Sequence, residues 1–221
     1  MILAFSGIDC SGKSTQIRLI KRFLEGRGER VTVIWYRPGY SNGLDWMRKL
    51  VRRVRPGALP SGENTRERQR VFRNPWIRWC WILMAVLDTI FVYGLKARML
   101  SLLGHIVICD RYVEDAVIDL RLRFSELVRC RPQANTLLKM FCPVAHHRFL
   151  LMLPKGVLVA RALKKQEPFP DSPEIRDRRF YEYEKLGCMR GLLVIDATKP
   201  IEAVQEEIQS ALHSHYGNIA G

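Results

Sequence analysis

The chain has 221 residues, 48% of them hydrophobic, six cysteines and a formal charge of +14. That length suits one α/β domain with a full core, covering residues 1–221, and leaves no room for two large domains. The cysteines form no C-x-x-C pair and no zinc spacing, and the first strand begins at once where a signal peptide would stand, so a reducing, cytoplasmic setting is expected.

Ile2-Leu3-Ala4-Phe5 reads as a short buried strand, and Ser14 to Arg27 reads as an amphipathic helix with Ile17, Ile20, Phe23 and Leu24 on one face and Gly26 and Gly28 as its stop. Between them lies Gly7-Ile8-Asp9-Cys10-Ser11-Gly12-Lys13-Ser14, followed by Thr15, which satisfies G-x-x-x-x-G-K-[ST]. Unpaired amides at a helix start, together with the helix dipole, make an anion site, and the lysine reaches toward the transferred group. ATP binding is expected. Cys10 is a candidate oxidation-sensitive thiol, with a small residue that fits the loop as the plainer reading.

Val31 to Tyr36 reads as the second strand. Leu44, Met47, Val51 and Val54 then fall at helical spacing with Arg48, Lys49, Arg52 and Arg53 between them, before a turn-rich stretch from Pro56 to Asn64. Between Arg37 and Arg78 there are eleven basic residues against three acidic ones. Such charge answers an acidic ligand, a nucleic acid or an anionic membrane face. Without a zinc-finger spacing, an aromatic RNA-binding signature or a helix-turn-helix, nucleic acid is not the expected partner.

Asn74 and Pro75 read as a helix cap and first turn, and Trp76 to Leu95 is almost continuously apolar except for Arg78 and Asp88. Asp88 in the middle argues against a bilayer span. Core packing or a homodimer face is the expectation, with peripheral membrane contact as the alternative.

Ile106-Val107-Ile108-Cys109-Asp110 is an apolar strand ending in a carboxylate, placed to hold magnesium opposite Ser14. Arg111, next in line, suits a bidentate grip on phosphate, with a structural ion pair as the alternative. Phe149 to Leu153 and Leu192 to Ile195 complete a five-stranded pattern alternating with helices, which argues for a three-layer α/β/α sandwich on a parallel sheet. The histidines, including His146 and His147, read as surface residues rather than metal ligands. No N-K-x-D for guanine occurs, which weakens a GTPase.

Taken in order, Phe5-Ser6-Gly7-Ile8-Asp9 with the phosphate loop and Thr15-Gln16, Arg37-Pro38-Gly39, Asp110-Arg111-Tyr112, and Val194-Ile195-Asp196-Ala197 before Pro200 to Val204 resemble thymidylate kinases over nearly the whole chain. The resemblance implies a P-loop kinase that uses ATP and Mg2+ to phosphorylate a nucleoside monophosphate, with dTMP as default, or another phosphorylated small-molecule acceptor. It implies that Gly7, Asp9, Cys10, Ser11, Gly12, Lys13, Ser14 and Thr15 hold ATP, that Ser14 and Asp110 position the metal, and that Arg37, Arg111 and Tyr112 meet the acceptor with Asp9 near its sugar hydroxyl. Arg161-Ala162-Leu163-Lys164-Lys165 resembles the family's lid, here about 155–177. With Cys10 and Ser11 where some members carry an arginine, the transition-state cation would come from Arg161, then Lys164 or Lys165. A solvated basic helix face is the other reading of these three.

The departures lie at the base. Where thymidylate kinases follow the helix aspartate with arginine, Asp88 is followed by Thr89; where they carry a serine and then a tyrosine-glutamine pair past D-R-Y, this chain has Asp115, Asp119 and Leu120. A pocket without its hydrogen-bond partners loses strong discrimination. A membrane-presented acceptor, or a nucleotide-binding switch without acceptor turnover, is the alternative.

Overall fold

The computed structural model describes residues 1–38, 53, 74–124, 133–165 and 172–217. The expected basic helix from Leu44 to Val54, the turn-rich stretch after it and Gly39 lie outside the described residues, Arg53 excepted.

Chain order runs β1 (Ile2–Gly7), α1 (Lys13–Glu25), β2 (Val31–Trp35), α2 (Pro75–Thr89), a π-helical segment (Ile90–Ala97), α3 (Arg98–Leu102) and β3 (Ile106–Asp110). It continues through α4 (Val113–Arg123), α5 (Gln133–Phe141), β4 (His147–Met152), α6 (Lys155–Lys165), α7 (Pro173–Gly187), β5 (Leu193–Asp196) and α8 (Ile201–Gly217). The five strands form an all-parallel sheet in the order β2-β3-β1-β4-β5. Parallel strands need crossovers, and these helices supply them on both faces. The sandwich expected from the alternating pattern is the one observed.

Strand alternation divides the core. Leu3 and Phe5 of β1 face a cluster with Ile17, Ile20 and Leu24 of α1 and Ile208 and Leu212 of α8. Ile2 and Ala4 face the opposite cluster, built from Trp81, Met84 and Ala85 of α2, Tyr93 of the π-helical segment, and Leu120 and Leu138. Side chains two apart point the same way in a strand, so one apolar tetrapeptide serves two layers. Gly26 and Gly28 end α1, the latter at φ 83°.

Pro75 to Leu102 form one helical run of 28 residues, apolar enough to cross a membrane, with half of its most apolar window buried. Asn74 caps it, its side chain accepting from the Trp76 amide at 3.0 Å. Asp88 is fully buried beside Tyr36, on the inward face. The outward face keeps Leu83, Leu87, Phe91, Leu95, Met99 and Leu102 exposed, Leu102 to 81%. The run is therefore neither wholly core nor polar on its outer side.

The π-helical turn was not anticipated. A Cβ at Gly94 would stand 2.8 Å from the Phe141 carbonyl oxygen, so only glycine admits α5 this close. The wider turn turns Tyr93 inward, where its hydroxyl donates to the Arg111 carbonyl at 2.7 Å. His146 is exposed, as expected, and in addition its Nδ1 accepts from the Ile2 amide at 3.0 Å.

Candidate active site

At the carboxyl ends of β1 and β3, Asp9, Cys10, Ser11, Gly12, Lys13, Ser14, Thr15, Asp110, Arg111 and Arg161 line one cavity of about 350 Å³. Residues up to 152 positions apart in sequence converge there, because the parallel topology brings every strand's carboxyl end to the same edge.

The loop owes its shape to three left-handed positions, Gly7 at φ 144°, Cys10 at φ 68° and Gly12 at φ 89°. At Gly7 a Cβ would meet the Leu151 carbonyl oxygen of β4 at 2.6 Å, so the loop can lie against the sheet only with glycine. Cys10 carries its positive φ without that freedom, a strained position of the kind found at ligand-binding turns. Lys13 turns back under the loop, where its Nζ donates to the carbonyls of Gly7 at 2.6 Å and Ile8 at 2.9 Å. Burial, reinforced by the Arg111 charge, pulls its ammonium below the usual lysine range. Gly7 itself is buried beneath the cavity rather than lining it.

Asp110 and Ser14 offer a carboxylate and a hydroxyl to the same cavity. Burial pushes the Asp110 carboxyl up, against the pull of Lys13 and Arg111. One carboxylate and one hydroxyl suit magnesium, which keeps waters and phosphate oxygens in its shell, better than an all-protein cage. Among the described residues no group of three or more histidine, cysteine, aspartate or glutamate side chains could hold a metal.

Of the three cations expected in a lid, Arg161 lines the cavity, and its Nη2 donates to the Ala197 carbonyl at 3.2 Å beyond β5. Lys164 is exposed and does not line it, and the side chain of Lys165 and residues 166–171 lie outside the described set.

Beyond β3, Arg111 holds an unusual backbone, φ 78°, fixed by its amide donating to the Phe5 carbonyl at 2.9 Å and its own carbonyl accepting from Tyr93. Its Nη2 donates to Asp9 Oδ1 at 2.5 Å. Burial alone would raise the Asp9 carboxyl, but Arg111 and then Lys13 hold it below the usual carboxylate range. Arg37 stands beside Arg111 rather than in the cavity wall, with its Nε 3.8 Å from Asp119 Oδ2. Tyr112 departs from its expected place: its hydroxyl donates to the Pro143 carbonyl at 2.5 Å and its ring packs on Tyr93. It lines instead a second cavity, of about 540 Å³, between α4, α5 and α7.

The residues at the base-recognition positions face inward. Asp115 accepts from Ser6 Oγ at 2.6 Å, from the Tyr112 amide at 2.8 Å and from the Tyr183 hydroxyl at 2.5 Å. Asp119 pairs with Arg179, and Leu120 is buried in the core. Arg179 and Tyr183 were not anticipated in the site. The signal was faint: a four-residue spacing of Asp115 and Asp119 on one helix and of Arg179 and Tyr183 on another.

A thymidylate kinase of Symbiobacterium thermophilum is 24% identical over 223 aligned residues, covering 95% of this chain and 91% of that protein. A thymidylate kinase of Chlorobaculum tepidum is 38% identical over 63 residues, 28% of this chain and 29% of that protein. No family model matches the chain. Full-length alignment at low identity, together with the parallel sheet and the phosphate loop at its edge, makes this chain a distant relative of the thymidylate kinases within the P-loop kinase fold.

Proposed function

We propose that this protein is an ATP- and magnesium-dependent kinase that phosphorylates a nucleoside monophosphate, with dTMP as the first acceptor to test. The observation that carries this reading is the single cavity in which the phosphate loop, Asp110, Arg111 and Arg161 meet. Phosphoryl transfer asks for positioning and charge neutralisation rather than covalent chemistry, and these groups are amides, cations and one carboxylate.

In this reading the loop amides and Lys13 hold the donor phosphates, with Ser14 and Asp110 as the magnesium ligands. Magnesium held there would neutralise charge on the donor's phosphates. Lys13 leaves the carbonyls of Gly7 and Ile8 for the phosphates, which restores the positive charge that burial disfavours. Arg37 and Arg111 hold the acceptor phosphate in line, and Asp9, 41% exposed and already on Arg111, accepts from an acceptor hydroxyl. Arg161 neutralises the transferred group when the lid closes and excludes water.

The exposed apolar face of α2, the π-helical turn and α3 supports a homodimer, one copy's ridge on the other's. Light scattering at micromolar concentration tests this, with sedimentation on anionic vesicles as the membrane alternative. The kinase reading is tested by magnesium-ATP turnover across nucleoside monophosphates with Lys13→Ala as the blank. Acceptor-dependent ADP formation lost in the variant is expected; ADP formation indifferent to every acceptor contradicts the reading.

A further inference from the structure

Asp119 sits on α4 with 6% of its surface exposed, and three arginines from three separate parts of the chain approach it. Its Oδ1 pairs with Nη1 of Arg179 from α7, itself 5% exposed. Its Oδ2 faces Nε of Arg37, beyond β2, at 3.8 Å and Nη1 of Arg111, beyond β3, at 4.0 Å. The two oxygens therefore do different things. Oδ1 closes a buried ion pair, whereas Oδ2, Arg37 Nε and Arg111 Nη1 are all buried and none makes a hydrogen bond among the described residues. At about 4 Å an opposite charge still orients a guanidinium strongly in a low-dielectric setting. It does so without consuming the donors by a hydrogen bond.

The rest of the cluster holds this carboxylate still. One turn earlier on α4, Asp115 accepts from the Tyr183 hydroxyl, one turn after Arg179 on α7, so two rungs, 115 to 183 and 119 to 179, clasp the helices. On the other side Tyr36 fixes the residue before Arg37, its hydroxyl hydrogen-bonded to Thr89 Oγ1 at 2.8 Å. Burial alone would raise the Asp119 carboxyl, but Arg179 first, then Arg111 and Arg37, keep it ionised.

We propose that Asp119 is a positioning residue that sets acceptor specificity: through Oδ2 it aims Arg37 and Arg111 at an acceptor phosphate, so the site selects a phosphate monoester and is nearly indifferent to its base. The inference rests on the kinase reading for the identity of the acceptor. Two observations carry it beyond that reading. The same carboxylate serves both phosphate arginines, and Asp115, Asp119 and Leu120, where base-reading groups would stand, are turned into the protein.

Asp119→Asn alone leaves Arg179 buried without its counter-charge and risks misfolding, so the deciding variant is Asp119→Asn/Arg179→Gln, which removes both charges of the rung. Thermal unfolding checks that it folds, acceptor KM and ATP KM are measured separately with dTMP, dCMP, AMP and GMP, and calorimetry reads dTMP binding to both proteins. The proposal expects an acceptor KM raised about tenfold by a similar factor for all four bases, with ATP KM unchanged, and weaker dTMP binding in the calorimeter. A folded double variant with wild-type acceptor KM overturns the proposal and leaves the kinase reading intact, as does a loss confined to one base. Binding of dTMP by the wild type that weakens in the double variant, without turnover of any monophosphate, sustains the role of Asp119 and overturns the kinase reading. No monophosphate binding by the wild type overturns both.

Discussion

The two sides proposed to hold donor and acceptor are built on opposite plans. The donor wall is one stretch of backbone, shaped by three left-handed residues between Gly7 and Gly12, and its donors are amides together with one lysine folded under the loop. The acceptor side is side chains just beyond β2 and β3 and on α4 and α7, of which Arg111 lines the cavity, already engaged with one another or with the loop, Arg111 with Asp9 and Arg179 with Asp119. A backbone cradle takes the phosphates of any nucleotide, because amides read charge and curvature. A wall of paired side chains can admit only a group that improves on the pairs already made, and a phosphate dianion does so for arginine. On the proposed function, discrimination among acceptors belongs to the second side.

The largest effect expected lies on the donor wall. Lys13→Ala should lower turnover by about 10³-fold, since removal of one preorganised charge donor is worth several kcal/mol in a transition state. Its unfolding temperature should stay near wild type, because the lysine it removes is a buried and disfavoured cation. Turnover and a melting curve on the same preparation check both halves.

Arg161→Ala comes next, with kcat lower by roughly 10²-fold and acceptor KM unchanged, whereas Lys164→Ala should fall within twofold of wild type. Only Arg161 of these two lines the cavity. Equal losses in the two variants would move the lid's cation away from Arg161.

On the acceptor wall, Asp115→Ala strips the acceptor from Ser6, Tyr183 and the Tyr112 amide at once and should cost about 3 kcal/mol of stability. Urea unfolding reads it. A cost below about 1 kcal/mol would mean that the clasp between α4 and α7 contributes little to folding.

The smallest effect is in acid. Asp9 and Asp119 have folded pKa values below their unfolded ones, because arginine partners overcome burial. Their stabilisation is full above the unfolded carboxylate value of about 4 and is lost as pH falls through the lowered folded values. Asp110, raised by burial, runs the other way and offsets part of it. Acid unfolding followed by circular dichroism should therefore be shallower in Asp119→Asn/Arg179→Gln than in wild type.

The same contrast explains how much was legible in the amino-acid sequence. The phosphate loop is contiguous, so eight residues between an apolar strand and an amphipathic helix disclose its fold. Asp110 and Arg111 were legible because a strand end carries them to the same edge. Arg179 was not: it sits 60 positions from Asp119 on a charged helix, and nothing local marks one arginine among Arg176, Arg178 and Arg179 as the buried one. Tyr112 was assigned to the acceptor by its place in a motif, yet packing against Tyr93 and Pro143 decided otherwise. The π-helical turn left only Gly94 as a trace, and a glycine in an apolar helix does not announce a backbone approach from α5.

The most direct test of the account is phosphorus NMR of the wild-type protein with magnesium-ATP and dTMP. The account predicts dTDP and ADP appearing together in equal amounts, and no such signals with Lys13→Ala. Inorganic phosphate accumulating beside unchanged dTMP, or an unchanged spectrum from folded protein, would contradict it.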